Sequence, residues 1–171
     1  LIYKHVHESG GKLVASGMGK AGQIAQNIAT TFSSTGTPSV FLHPCDAQHG
    51  DLGILAKNDV LLLISNSGRT REIIELVVLT RRLYPEFPFI LITGNREGEL
   101  VKASSSVLFT GNPPEVCPLG LTPSTSTTVM TVIGDALVAT MIKKIGFTSS
   151  EYAKRHHGGY LGEKSRDLSS L

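Results

Sequence analysis

The stretch Asp59-Val-Leu-Leu-Leu-Ile-Ser-Asn-Ser-Gly-Arg-Thr70 decides how this chain folds. An apolar run through Ile64 reads as a strand buried on both faces, and an amphipathic run, Glu72 to Leu83, follows at once. Between them stand two serines, an asparagine, a glycine and a threonine. A buried strand that turns into a helix through such residues forms an anion cradle. The glycine admits close backbone approach, and the hydroxyls and first free N–H groups of the helix point to one place. The positive end of the helix dipole favours a dianion there, so the expected ligand is a phosphate on a small molecule. Ser65, Asn66, Ser67, Gly68 and Thr70 are its expected contacts, and Arg69 points to solvent.

Outward from this stretch the same pattern repeats. Lys12–Ser16, Pro38–His43, Asp59–Ser65, Pro88–Thr93 and Ser106–Phe109 read as strands. Helical patterns run from the Gly17 turn to Ser34, from Thr70 to Leu83 (with Ile73, Leu76, Val77 and Leu83 on one face), over Glu97–Ala103, over Thr122–Ile145 and over Ser149–Arg155. Apolar strands alternating with helices predict an α/β fold. It is a three-layer αβα sandwich around a five-stranded parallel sheet, with ligands at the carboxyl ends of the strands. The chain reads as one domain over residues 1–171. Residues 1–11 are an N-terminal segment, residues 147–171 a C-terminal one, and the tail after Lys164 reads as loose.

The totals exclude several classes. Of 171 residues 40% are hydrophobic and 18% charged, which is neither a disordered nor a membrane-embedded composition. Sixteen basic against 14 acidic residues leave +2, and tryptophan is absent, so nothing points to nucleic acid. No apolar run is read as reaching membrane-spanning length, and the start carries no signal-peptide pattern. Cys45 and Cys117 have no metal-like spacing, which predicts free thiols in a reducing cytoplasm. Leu1 in place of an initiating methionine suggests residues ahead of it.

A second glycine loop, Gly17-Met-Gly-Lys-Ala-Gly22, follows the first strand. Gly17, Gly19 and Gly22 match the G-x-G-x-x-G spacing of dinucleotide sites, but the second strand ends Phe41-Leu42-His43-Pro44 without the acid that a ribose needs. The preferred reading sets Gly19 and Lys20 at the crevice, with Lys20 as a cation for a phosphate or for a developing oxyanion. Thr122 to Thr128 is a second hydroxyl cluster. It reads as a helix cap, and Thr125 and Ser126 as the far wall of a sugar pocket.

Taken together, these loops resemble the sugar isomerase (SIS) domain, and within it the arabinose 5-phosphate isomerases. The resemblance also rests on Ala29–Pro38, His43-Pro44, Gln48-His-Gly-Asp-Leu-Gly53, Glu115–Thr128, Gly134-Asp-Ala-Leu137 and His157-Gly-Gly-Tyr-Leu-Gly162, which together cover nearly the whole chain. It implies a flavodoxin-like sheet and interconversion of ribulose 5-phosphate and arabinose 5-phosphate through an enediol, the entry to 3-deoxy-octulosonate (Kdo) and lipopolysaccharide. It implies no cofactor or metal and a homotetramer with interfacial active sites. By position, Lys20, His49, Glu72, Glu115 and His156 match the catalytic residues.

Three positions depart from the pattern. Ala21 replaces a serine, Arg69 replaces a small polar residue or glutamate, and His156-His157-Gly158-Gly159 replaces His-Pro-Gly-Gly, which leaves two candidates for the functional histidine. Family members typically carry regulatory CBS domains that this sequence does not contain. Feedback is therefore expected at the sugar crevice itself, from a nucleotide-activated Kdo sugar.

The chemistry distributes the roles. Moving a proton between carbons 1 and 2 requires a base, and Glu115, among prolines and Val116, is expected to be a carboxylate raised toward neutrality. His156 is assigned ring opening. Glu72 serves either the helix dipole or the sugar hydroxyls and Lys20, and His49 lies beside the crevice. His43, Cys45, His49, His156 and His157 gathering on a metal would be an adventitious site. Cys117 is expected to be buried. A phosphosugar-sensing regulator without catalysis, and an isomerase of another sugar phosphate, are the alternatives.

Overall fold

The computed structural model describes residues 1–169. Five parallel strands, β1 (Leu13–Gly17), β2 (Ser39–Phe41), β3 (Val60–Ile64), β4 (Phe89–Thr93) and β5 (Ser106–Phe109), lie in the order β2-β1-β3-β4-β5. The helices are α1 (Lys20–Ser34), α2 (Pro44–Ala47), α3 (Arg71–Leu83), α4 (Glu99–Ala103), α5 (Thr125–Ile145), α6 (Ser149–Arg155) and α7 (Gly159–Ser169). The order is that of the flavodoxin-like doubly wound sheet, so the expected three-layer sandwich is what forms.

Alternation in the strands builds two cores. Leu13, Ala15, Val60, Leu62, Ile64, Ile90 and Ile92 face one side and pack with Ile28 and Phe32 of α1 and Met130, Val138 and Met141 of α5. Val14, Leu61, Leu63, Phe89 and Leu91 face the other, against Ile73, Leu76 and Val77 of α3 and Leu100 of α4. β1, β3 and β4 are buried along their whole length, as a central parallel strand must be. Asp59, 1% exposed, fixes the start of β3. Its carboxylate accepts the Lys12 and Ala56 backbone N–H groups at 2.8 Å each and the Lys12 ammonium at 2.6 Å.

Several expectations are corrected. Leu83 is exposed, and Thr80, whose hydroxyl donates to Leu76 O, takes the buried place on α3. Residues 1–11 hold a π-helical turn, Tyr3–Glu8, and Ile2 and Val6 are buried there in the first core. The tail after Lys164 is helical through Ser169, and residues 170–171 lie outside the described residues. That helix has no apolar stripe to read. It is held by Ser165, whose hydroxyl donates to Gly162 O, and by Gly162, where a Cβ would lie 2.6 Å from His156 O. Residues 125–145 reach the length and hydropathy of a membrane span. Met130, Gly134, Val138 and Met141 nevertheless turn one side of that helix into the core.

Candidate functional site

The cleft opens where the strand order reverses, between the carboxyl ends of β1 and β3. It has a volume of about 620 Å³ and is lined by Met18, Lys20 and Ala21 after β1, by Ser65, Asn66, Ser67 and Thr70 after β3, by Gly94 and Asn95 after β4, and by Asn112 and Pro123. This is the crevice that doubly wound sheets use for ligands.

Each loop has a local reason. Gly19 holds φ 59, ψ −128, a conformation reserved for glycine, and it starts α1 without a side-chain cap. Thr70 starts α3, also without a side-chain cap. Two helix N-termini without side-chain caps therefore meet at one opening, beside the Lys20 ammonium. Ser65 is 1% exposed, and its hydroxyl pairs with Thr70 Oγ1 at 2.7 Å. Gly68, at φ 62, closes the turn with its N–H on Ser65 O at 3.1 Å.

The β4 turn holds this loop from behind. Asn66 O accepts the Gly94 N–H at 3.0 Å and the Thr93 hydroxyl at 3.2 Å, Ser67 O accepts Asn95 Nδ2 at 2.9 Å, and Gly68 O accepts the Leu100 N–H at 3.0 Å. Gly98 makes this possible, since a Cβ there would meet Gly68 Cα at 2.7 Å. Three successive carbonyl oxygens, each repulsive to an anion, are thus tied away from the cleft.

The remaining expected residues lie apart from this lining. Glu72 occupies the first turn of α3. His49 is exposed, on a turn that the Gln48–Glu75 hydrogen bond of 2.9 Å holds against α3. His156 ends α6, stacked on Tyr152 with ring centroids 3.7 Å apart, and its Nδ1 lies 2.9 Å from Tyr152 O. His157 is exposed. Among the described residues no three His, Cys, Asp or Glu side chains are arranged to hold a metal, so the gathering of histidines with Cys45 does not occur.

Glu115 departs furthest from its expected state. Its Oε2 accepts the Ser124 N–H at 2.8 Å, the Ser124 hydroxyl at 2.9 Å and the Ser126 N–H at 3.3 Å. It caps α5. Hydrogen bonds from the Ser126 side chain, then from Ser124, outweigh desolvation and pull its pKa from 4.5 down to about 2, where burial was expected to raise it. Ser126 is buried, and Thr125 beside it has a buried Oγ1 with no partner among the described residues. Cys117, in the same loop, is half-buried, and hydrogen bonds from the Thr122 side chain and the neighbouring backbone lower its thiol to about 6.

Met18, Gly94, Asn95, Asn112 and Pro123 also line the cleft and are not among the residues expected there. Thr93-Gly94-Asn95, small and polar directly after a buried strand, does carry the same signal as the serine loop. Asn112 carries only its place between Gly111 and Pro113.

The SIS domain family matches residues 7–140. The chain belongs to that family. As a SIS domain it is 47% identical over 154 residues to arabinose 5-phosphate isomerase KdsD of Escherichia coli K12, covering 90% of this chain and 46% of the relative. It stands at the same identity to KdsD of Pseudomonas aeruginosa, of which it covers 47%. The chain thus spans about half the length of these curated relatives. Among solved structures, a Bacteroides fragilis protein assigned as a phosphosugar isomerase involved in capsule formation superposes with a TM-score of 0.91 at 65% identity, over 93% of this chain and 83% of that one. An E. coli CFT073 protein in complex with arabinose 5-phosphate superposes at 0.83 and 38% identity, over 90% and 80%.

Proposed function

We propose that this SIS domain interconverts D-ribulose 5-phosphate and D-arabinose 5-phosphate through an enediol, as the first step toward Kdo and lipopolysaccharide. The observation that carries the reading is the cleft itself. Lys20, Ser65, Ser67 and Thr70 meet two uncapped helix N-termini, and three carbonyls are turned away, which suits a monoester dianion. The 47% identity to KdsD and the relative in complex with arabinose 5-phosphate support the choice of sugar.

In this reading the phosphate sits in the serine loop with Gly19, Gly68 and Lys20, and Lys20 also faces the enediolate oxygen. Glu115 carries the proton between carbons 1 and 2. A carboxylate at about 2 is a weak base, so its cap bonds to Ser124 and Ser126 must be exchanged when substrate binds. Glu72 and His49 act from the α3 side on the hydroxyls, Thr125 and Ser126 form the far wall, and His156 opens the aldose ring. His156 does not line its own cleft, so it is supplied across a subunit contact in a cytoplasmic homotetramer. No cofactor enters the scheme. A nucleotide-activated Kdo sugar competing at the crevice is the proposed feedback ligand, and an assay without inhibition at millimolar concentration removes that part.

The test is turnover of arabinose 5-phosphate in deuterated water, read by mass spectrometry. Wild type should convert it with deuterium entering carbon 1 of the ketose product and carbon 2 of the recovered aldose, and Glu115→Gln should lose roughly 10²- to 10⁴-fold of both exchange and conversion. Binding of the sugar phosphate with neither exchange nor conversion would return the chain to the sensing alternative. Normal turnover by Glu115→Gln would pass the base role to His49.

A further inference from the structure

Asn112 has φ 49, the one positive value outside glycine among the described residues. Asparagine tolerates this left-handed conformation better than most residues, yet glycine adopts it at no cost. A turn alone therefore gives no reason for a side chain here, and this side chain lines the cleft.

Gly94 shows where that side chain lies. A Cβ at Gly94 would stand 2.6 Å from Asn66 Oδ1, 3.2 Å from Asn112 Oδ1 and 3.2 Å from Thr110 Oγ1. Two amides, one from the β3 loop and one from the β5 loop, thus converge over the bare backbone of the β4 loop. Strands β3 and β5 stand roughly 9–10 Å apart across β4, and the missing side chain at 94 lets the amides approach across that distance. Among the described residues neither amide has a hydrogen-bond partner. The third asparagine of the cleft is different: Asn95 donates to Ser67 O and accepts the Glu97 N–H, each at 2.9 Å, so its amide is engaged in holding the loop.

We propose that Asn112 and Asn66 form a reading site for neighbouring hydroxyls on the carbon chain of the bound sugar phosphate. A carboxamide offers one donor edge and one acceptor, which matches hydroxyls that both give and take a hydrogen bond. An anion would call for donors only, and the serine loop and helix starts already supply those. A substrate anchored by phosphate at β3 and extending toward β5 passes over Gly94, and so between the two amides. This assignment rests on the proposed sugar phosphate reading, and it names the residues that would select the stereochemistry of the hydroxyls.

Asn112→Gly is the decisive variant, because it keeps the left-handed turn and removes only the amide. Its KM for arabinose 5-phosphate should rise roughly tenfold, the loss of one to two hydrogen bonds. The inhibition constant of inorganic phosphate, which occupies only the serine loop, should stay within about twofold, and Tm should hold or rise. KM and kcat within about twofold of wild type, or a phosphate constant that weakens in step with KM, overturns the assignment. If wild type turns over no pentose phosphate, the isomerase reading falls alone. Calorimetric titration of wild type and Asn112→Gly with arabinose 5-phosphate and with inorganic phosphate then decides the site, and absence of a sugar-specific difference overturns it.

Discussion

Glu115 shows how one carboxylate reads differently in sequence and in space. Prolines and a valine around it suggest apolar company, and burial would raise its pKa. The loop instead folds back onto the start of α5, and charge-accepting hydrogen bonds win over desolvation. Ser124 and Ser126 lie 9 and 11 positions away, so neither neighbour in sequence nor helical period reveals the bond. The folded pKa of about 2 lies below the ordinary 4.5, so the stabilisation by ionised Glu115 is complete above pH 4.5 and disappears as pH falls toward 2. The Tm gap between wild type and Glu115→Gln should therefore be widest near neutrality and close in that acidic window; a gap independent of pH would mean that charge contributes nothing to the cap. In the same loop, Cys117 at about 6 should be alkylated by iodoacetamide with a midpoint near that pH. A midpoint in the range of an ordinary thiol would contradict the hydrogen bonds assigned to it.

At the scale of elements, the chain is most legible where burial alone decides. β1, β3, β4 and the body of α3 follow from apolar runs and period, because a parallel strand covered on both faces has no use for polar side chains. β2, an edge strand, is only Ser39–Phe41, shorter than its apolar surroundings imply, since one neighbour supplies fewer pairings. The Tyr3–Glu8 turn and α7 carry no periodic signal because each buries only one or two residues. The α1–α5 crossing rests on Gly134, where an added Cβ would lie 2.4 Å from the Ile28 side chain, itself 1% exposed. Gly134→Ala should gain up to about 1 kcal/mol of helix propensity and lose about 1–3 kcal/mol to overpacking. The net result should be a lower Tm in calorimetry, and an unchanged or higher Tm would show that Ile28 yields freely.

For the whole molecule, topology explains which part of the site could be read in advance. The glycine-lysine and serine loops follow the two strands at which sheet order reverses, so their meeting follows from the fold once the strands are recognised. Side chains from the connections and from the C-terminal segment follow no such rule. Phe147 packs on Gly36, at the far end of α1 from the cleft, and α6 with His156 begins from there. α1 has 15 residues, about 22 Å of helix, so the elements that carry Lys20 and His156 are anchored at opposite ends of the layer. If a second copy provides His156 to each cleft, Lys20→Ala and His156→Ala chains should each be nearly inactive alone. Unfolded together and refolded as a mixture, they should regain activity, because some interfaces then hold an intact lysine opposite an intact histidine. The recovered rate should approach a quarter of wild type if chains mix at random and each cleft draws on two. Mixtures that remain inactive, although mixed oligomers are demonstrated by differential tagging, would place both groups in one chain and require α6 to move toward the cleft on binding.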